Sequence, residues 1–439
     1  MRALRILGLG LLVAPFCVQA VEPIQLNISF KSTTSTPEEA VGEKINTIRD
    51  QLIAAPALST EAQQLRDVLI DISGEGDIGR YSDALRAISP RANTAQTTQV
   101  TRGPTSFAIA SIGRRLAALR RSASKSGGSS FAQQIQDTKL PILSFDGDSS
   151  SGFGGRLSSF VTSDLSYSAQ EDTPTEVGFD GDSKRLNLGA DYRFTNQLFG
   201  GMAASLMSSQ VSLTDQGGSL RAQEQVLTAY GTHYGTNPWY VETVVSFGRR
   251  AFELERQVSF IASGNPVNAT ASSDPQGSYV NAVLGSGYDY AFRNGFSVGL
   301  NATLAYSSST IEAFEETSAG GLNLALEEQK IESMVFSLGT QMQKPVGTRY
   351  GVFLPQFSVH WNHEFQQEGT PIRARFVNDP FGTQFSFTTE ERDQDYLLIA
   401  AGASLVVPGG LTAFFNLDTQ LLIDNFEQSS VALGVRKEY

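Results

Sequence analysis

Catalysis needs nucleophiles, bases or metal ligands at workable spacing, and this chain of 439 residues has few of them. It holds three histidines, His233, His360 and His363, and one cysteine, Cys17. His360-Trp-Asn-His363-Glu364 gathers two imidazoles and a carboxylate, but the metalloprotease pattern puts its glutamate directly after the first histidine of a helix. Alternation along Tyr350 to Phe365 instead sets His360 on the side of Gln356, Ser358 and Glu364, and His363 with Phe357, Val359, Trp361 and Phe365. Both then read as ordinary strand residues. Asp146-Gly-Asp-Ser149 is similar to the Gly-Asp-Ser run of some esterases, yet no histidine precedes residue 233 to act as its base. No catalytic residue, metal ligand or cofactor is expected.

Arg2 and Arg5 precede the apolar run Ile6 to Val18, and Val18-Gln19-Ala20 offers small residues for cleavage between Ala20 and Val21. That is the pattern of a secretory signal peptide, and the run is too short to span a bilayer as a helix. Cys17 falls inside the leader, so the exported chain would carry neither thiol nor disulfide. Loss of Arg2 and Arg5 takes the formal charge from −12 to −14, which disfavours nucleic acid as a partner. Mean hydropathy is −0.15, and no apolar run of spanning length follows the leader, so helical membrane insertion is excluded. A barrel escapes that test because only alternate residues meet lipid.

The length calls for more than one region. Thr36-Pro37-Glu38-Glu39 has the form of a capping box, followed by Val41, Ile45, Ile48 and Leu52 at helical spacing. Ser59-Thr60-Glu61 predicts a second helix carrying Leu65, Val68, Leu69 and Ile72 and ended by Gly74. A third is predicted from Asp77 to Ile88, with Ile78, Tyr81, Leu85 and Ile88 on one side. A fourth, Pro104 to Arg121, sets Ile109, Ile112, Leu116 and Leu119 on one face, with Arg114, Arg115, Arg120 and Arg121 near its end, where cations suit the helix dipole. Two readings of it stand open: a pore helix whose arginines meet acids in a barrel lumen, or a stem helix with a solvated basic face. Ser122 to Gly155 has the Ser, Gly and Asp content of a linker.

From about Arg156 onward, segments of roughly ten to fifteen residues alternate large apolar with small or polar side chains. Leu186, Leu188, Ala190, Tyr192 and Phe194 alternate with Arg185, Asn187, Gly189, Asp191 and Arg193. Val280, Ala282, Leu284, Tyr288 and Tyr290 do the same, and Gly189-Ala-Asp-Tyr-Arg-Phe194 echoes Gly287-Tyr-Asp-Tyr-Ala-Phe292. Tight turns are predicted at 195–197, 235–238, 293–295, 347–349 and 408–410. Longer polar connections are predicted near 168–181, 213–219, 259–275, 315–322, 367–391 and 423–427. Five turns and six loops imply about twelve strands, with short turns toward the periplasm and long loops outside. The fold expected is an all-β transmembrane barrel of about twelve antiparallel strands, preceded by a small α-helical region and the candidate pore helix. Its final strand, Val431, Leu433, Val435 and Tyr439 in one parity, ends on an aromatic ring.

Over residues 156 to 439 the chain resembles the autotransporter β-domain of type V secretion. Carrying the resemblance are Gly178-Phe-Asp-Gly-Asp182, Leu188-Gly-Ala-Asp-Tyr-Arg-Phe194, Ala229-Tyr-Gly-Thr-His-Tyr234 and Tyr240-Val-Glu-Thr-Val-Val-Ser-Phe-Gly248. Trp361-Asn-His-Glu-Phe365, Arg373-Ala-Arg-Phe376 and the terminal strand continue it. Tyr81 to Pro90 and Arg114 to Arg120 look like the segment preceding many such barrels. The resemblance implies a monomeric barrel in the lipid of the bacterial outer membrane and a helix entering its pore. It also implies a final strand read by the barrel assembly machinery after escort by periplasmic chaperones. The expected role is a translocator and anchor that exports or displays the helical region. The alternative is a stand-alone pore or structural barrel with the helices kept periplasmic or plugging the lumen. Two departures matter: Lys437 stands where the family often has an aromatic residue, and the stretch 21 to 155 is too short for a long β-helical passenger. Some members cut their stem inside the lumen at an Asn-Asn junction, and this chain has no Asn-Asn pair. Lumen acids such as Asp191 and Glu242 are expected to balance Arg185, Arg193 and Arg250. The expected layout is a leader at 1–20, a helical region at 21–121, a linker at 122–155 and the barrel at 156–439.

Overall fold

The computed structural model describes residues 36–102, 156–214, 217–234 and 238–439. Helix α1 (Pro37–Ala54) starts at a reciprocal capping box. The Thr36 hydroxyl accepts from the Glu39 amide at 3.2 Å and the Glu39 carboxylate from the Thr36 amide at 3.0 Å. Ser59 caps α2 (Thr60–Ser73) and Asp77 caps α3 (Ile78–Ile88). The stripes Val41, Ile45, Ile48 and Leu52 on α1 and Leu65, Leu69 and Ile72 on α2 are fully buried. Ile78 departs from expectation: as the first residue of α3 it stands at the end of the packed face and is 86% exposed, while Ala84, Leu85 and Ile88 make the contact. A 3-10 turn, Pro90–Asn93, leads into α4 (Thr94–Arg102), a polar helix that no apolar spacing predicted. The helix expected at Pro104 to Arg121 lies outside the described residues.

The strands begin with β1 (Leu157–Gln170), β2 (Phe179–Arg193), β3 (Leu198–Leu213), β4 (Gly218–Tyr234) and β5 (Trp239–Ala262). Next come β6 (Asn265–Ser273), β7 (Gln276–Ala291), β8 (Ser297–Ile311), β9 (Phe314–Glu315) and β10 (Leu324–Leu326). Then follow β11 (Gln329–Gln343), β12 (Val346–Thr348), β13 (Gly351–Glu364), β14 (Pro371–Phe376) and β15 (Phe385–Thr388). The chain finishes with β16 (Asp395–Val407), β17 (Leu411–Leu421) and β18 (Phe426–Glu438). Twelve of these form one antiparallel ladder in the order β11, β8, β7, β5, β4, β3, β2, β1, β18, β17, β16, β13, and β13 pairs back onto β11. A closed ladder is what lipid demands, since hydrocarbon offers no partner to a strand edge. The predicted tight turns gather at one end, where the Tyr439 amide donates to the Leu157 carbonyl at 3.0 Å.

Several connections expected to be polar loops are themselves strands. Residues 259–275 form the tip of a β5–β6 hairpin, and the two connections that follow supply a second sheet in the order β15, β14, β10, β9. Their apolar residues alternate over spans too short to stand out as strands. α1 packs on β15, α2 on the 3-10 turn Gly320–Leu322 and α3 on β5. The helices therefore sit at the loop end of the barrel.

β5 shows how one strand serves two solvents. Near the turn end its outward residues include Trp239, Val241 and Phe247, all exposed, and its inward ones include Glu242 and Ser246. Past Gly248 the alternation continues but polarity changes face: Arg249, Glu253, Glu255 and Gln257 point outward, and Phe252, Leu254, Val258 and Phe260 are buried within. A strand of 24 residues reaches ~80 Å at 3.3 Å per residue, whereas about ten residues cross a bilayer. The change of face marks where the strand leaves lipid. Below it, Leu188, Leu206, Leu227, Leu284 and Leu300 form an apolar belt, each 49% to 60% exposed. Aromatic pairs rim the turn end: Tyr192 with Phe194 at 5.2 Å between centroids, Trp239 with Tyr288 at 5.2 Å and Tyr290 with Phe292 at 4.7 Å.

An arginine at Leu284, inside the belt, should destabilise the barrel by ~2–4 kcal/mol. An arginine at Gln257, outward on the neighbouring β5 but beyond the change of face, should cost under ~0.5 kcal/mol. Urea titration of the folded barrel in lipid, read by heat-modifiable migration, checks both.

Candidate functional site: the barrel lumen and its mouth

Inside the barrel, register places Arg185 on β2, Met207 on β3, Glu224 on β4 and Arg250 on β5 along one rung. The Glu224 carboxylate is buried and accepts from Arg250 at 2.6 and 2.9 Å and from the Tyr279 hydroxyl at 2.8 Å. Arg185 lies 3.7 Å away on its other side and donates to the Met207 sulfur at 3.2 Å. Gly248 makes room for this cluster, since an added Cβ would sit 2.2 Å from the Tyr279 ring. Toward the turn end, Asp191 accepts from Ser158 at 3.0 Å and from the Tyr230 hydroxyl. Arg436 donates to Ser158 at 3.3 Å and pairs with Glu438 at 2.5 Å. Arg193 lies over the Phe199 ring at 5.1 Å. Such buried charges are tolerated because partners are fixed on neighbouring strands.

At the loop end, the first turns of α4 lie within the mouth. Thr94 to Thr98 are at most 3% exposed, and Ala95 packs in a ring that includes Phe179, Leu213, Leu220, Phe252, Ile331 and Phe426 from six strands. The Thr97 hydroxyl donates to the Gln329 side chain at 2.8 Å, and Thr94 accepts from the Val177 amide at 3.1 Å. Arg91, just before α4, donates to the carbonyls of Thr173 and Glu176 in the β1–β2 loop. Beside the mouth, Arg256 of β5 forks onto Glu316 at 2.6 and 2.9 Å, with both side chains no more than 3% exposed. Arg256 also donates to the carbonyls of Ala87, at the end of α3, and Leu322, at 2.8 and 3.1 Å. One guanidinium thus ties a helix to two barrel segments. At the outer tip of the β5–β6 hairpin, Glu75 accepts from the Asp77 and Ser263 amides at 3.0 and 2.8 Å, and the Asp71 carboxylate accepts from Asn265 at 2.8 Å.

The sequence model of the Autotransporter beta-domain matches residues 160–418, more than half of the chain. The chain belongs to the autotransporter β-domain family. It is accordingly a transmembrane barrel of the bacterial outer membrane and a translocator by type. Among solved structures it is similar to the translocator domain of the autotransporter NalP from Neisseria meningitidis, with 14% identity, 70% of this chain and 96% of that chain covered, and a TM-score of 0.51. The β-domain of the Bordetella autotransporter BrkA is 13% identical over 65% of this chain and all of that one, with a TM-score of 0.46. The transport unit of AIDA-I from Escherichia coli is 12% identical over 71% and 98% of the two chains, with a TM-score of 0.43. At these identities the NalP likeness shows the fold alone. No curated protein sequence matches this chain.

In the autotransporter barrel, His360 is half-buried on the inward face of β13, and His363 pairs with Asp395 at 3.0 Å beside Trp361 and Phe365. Among the described residues no group of three His, Cys, Asp or Glu side chains is placed to hold a metal. Arg185, Arg193, Arg250, Asp191 and Glu242, lumen residues by alternation, all point inward. Glu224, inward on β4 with Thr228 and Tyr230, centres the charge cluster and is missed by the sequence reading, although alternation along that strand could have found it. Leu433 and Val435 stand outward on β18, exposed by 51% and 47%, with Val431 in the same parity, between β1 and β17, and Tyr439 just past the strand end is 47% exposed. Lys437 donates from its Nζ to the Gly409 carbonyl at 2.5 Å, and the Tyr439 hydroxyl meets Ser159 at 3.2 Å. Ala20, Val21, Ile109, Ile112, Arg114, Arg115, Leu116, Leu119, Arg120 and Arg121 lie outside the described residues.

Arg256→Met should destabilise the helical cap by ~3–5 kcal/mol because it strands the buried Glu316 carboxylate, and adding Glu316→Leu should recover most of that. Chemical denaturation followed by helical circular dichroism reads both variants. The Glu75 carboxyl is held below its ordinary 4.5 by the Asp77 amide first and the Ser263 amide second. A carboxyl lowered in the folded state stabilises above its unfolded value and loses that contribution as pH falls through the folded one. The corner should therefore hold at neutral pH and loosen as pH drops below 4.5. Ser263 amide exchange, corrected for intrinsic rate, should show this step, and Glu75→Gln should remove it.

Proposed function

We propose that this autotransporter barrel carries and displays its own helical segment, residues 36–102, as a folded cap on the outer face. The observation that carries this is the burial of α1, α2 and α3 against the loop-end sheets, since barrels of this class face their long loops outward. Helices kept in the periplasm would have no such surface to cover. A leader cut between Ala20 and Val21 would deliver the chain to the periplasm. There, chaperones and the barrel assembly machinery would take it up, reading Val431, Leu433, Val435 and Tyr439 as the terminal signal.

α4 ends at Arg102 near the loop-end mouth, and β1 begins at the turn end, so the intervening chain joins opposite ends of the barrel. Pro104 to Arg121 is our candidate to cross inside. Ile109, Ile112, Leu116 and Leu119 would pack along the wall, and Arg114, Arg115, Arg120 and Arg121 would meet lumen acids such as Asp191 and Glu242. The formal charge of −12 argues against nucleic acid as a partner. The pairing of Glu224 with Arg250 and Arg185 supports a structural, non-catalytic role for the lumen charges. The barrel is read as a monomer that works without a cofactor.

Antibody against residues 36–102 should label intact cells, and externally added protease should reach exposed sites such as Ile53 and Ile78 there. Full protection of the segment on intact cells, with labelling only after outer-membrane permeabilisation, would sink the display reading.

A further inference from the structure

The helices and the barrel's loops do not each have a core; they divide one. From the helical side come Ile45, Ile48, Leu65 and Ile72, and from the barrel side Val258, Leu324, Ile372, Phe376 and Phe387, each at most 3% exposed in one continuous cluster. Helices of 18, 14 and 11 residues are marginal singly in water. A three-helix segment this short is marginal by itself, it contains no cysteine to staple it, and here the barrel supplies half of its core. Chain order adds a second constraint. The segment is made first, but its other half lies on the β5–β6 hairpin, between β8 and β11 and between β13 and β16, all made after it. Residues 36–102 have nowhere to fold until those connections stand at the outer face.

Resting on the display reading above, we propose that the β5–β6 hairpin and the β9–β10–β14–β15 sheet act as the folding template for the exported helices. The division of the core keeps the segment unfolded, and so able to pass a lumen, until it meets its own barrel's loops. The contact is close enough to be specific. Gly321 lies against the backbone of α2, where an added Cβ would sit 2.5 Å from the Leu65 amide nitrogen and 2.6 Å from the Glu61 carbonyl. Its backbone conformation suits any residue, so a side chain there disturbs only the docking.

The test uses the full chain folded in outer membranes. Gly321→Leu and, separately, Phe387→Ser should speed proteolysis within residues 36–102 at least tenfold and remove the helical circular dichroism signal, while the barrel keeps its heat-modifiable migration. Ile78→Ser, at an exposed position, should change none of these. Helices that stay resistant in both loop variants, with the barrel intact, would overturn the template. If the parent segment cannot be labelled on intact cells, the display reading falls and the template with it. If it is labelled yet indifferent to the loop variants, the template alone falls.

Discussion

Hydrocarbon offers a backbone amide no hydrogen-bond partner, and the rest of this molecule follows from the closure which that imposes. Twelve strands satisfy one another, with β13 returning to β11 and β18 joining β1 over thirteen paired positions. Once the ladder is closed, side-chain alternation has one meaning at each height. In lipid the outside must be apolar, and the inside can hold Glu224 between two arginines because their partners are fixed by register. Above lipid the requirement inverts, and β5 obeys it within a single strand.

That inversion turns a membrane anchor into half of a water-soluble domain. Phe252, Leu254, Val258 and Phe260 keep the inward parity of Glu242 and Ser246 but meet helices and loops instead of a wet lumen. No new fold rule is needed, only strands longer than the bilayer is thick. The Arg256–Glu316 pair at this junction adds direction to an otherwise non-directional core. Its guanidinium accepts one arrangement of the α3 carbonyl and the 312–328 connection, consistent with buried ion pairs favouring one geometry over neighbouring ones.

Much of this was legible in the sequence. Capping residues Thr36, Ser59 and Asp77 set the helix starts, Leu186 to Phe194 gave the lipid face, and the turn residues gave the strand count. What escaped had physical reasons. β14 and β15 alternate over six and four residues, between Gly, Asp and Glu, and read as loop. The first turns of α4, Thr94 to Thr98, are buried with a polar sequence because their surroundings are the barrel mouth, so apolar periodicity could not find the helix. Arg256 and Glu316 stand sixty residues apart in sequence and meet only through the fold. Ile78 has the right spacing, but the packed face ends before it.

The central claim is that cap and barrel loops form one cooperative structure. Hydrogen exchange on the full chain in lipid, with increasing urea, tests it most directly. The buried amides of α1 and α2 and those of β10 and β14 should open together, with the same stability and the same urea dependence. Helix amides that exchange through a separate, weaker opening while β10 and β14 stay protected would contradict it.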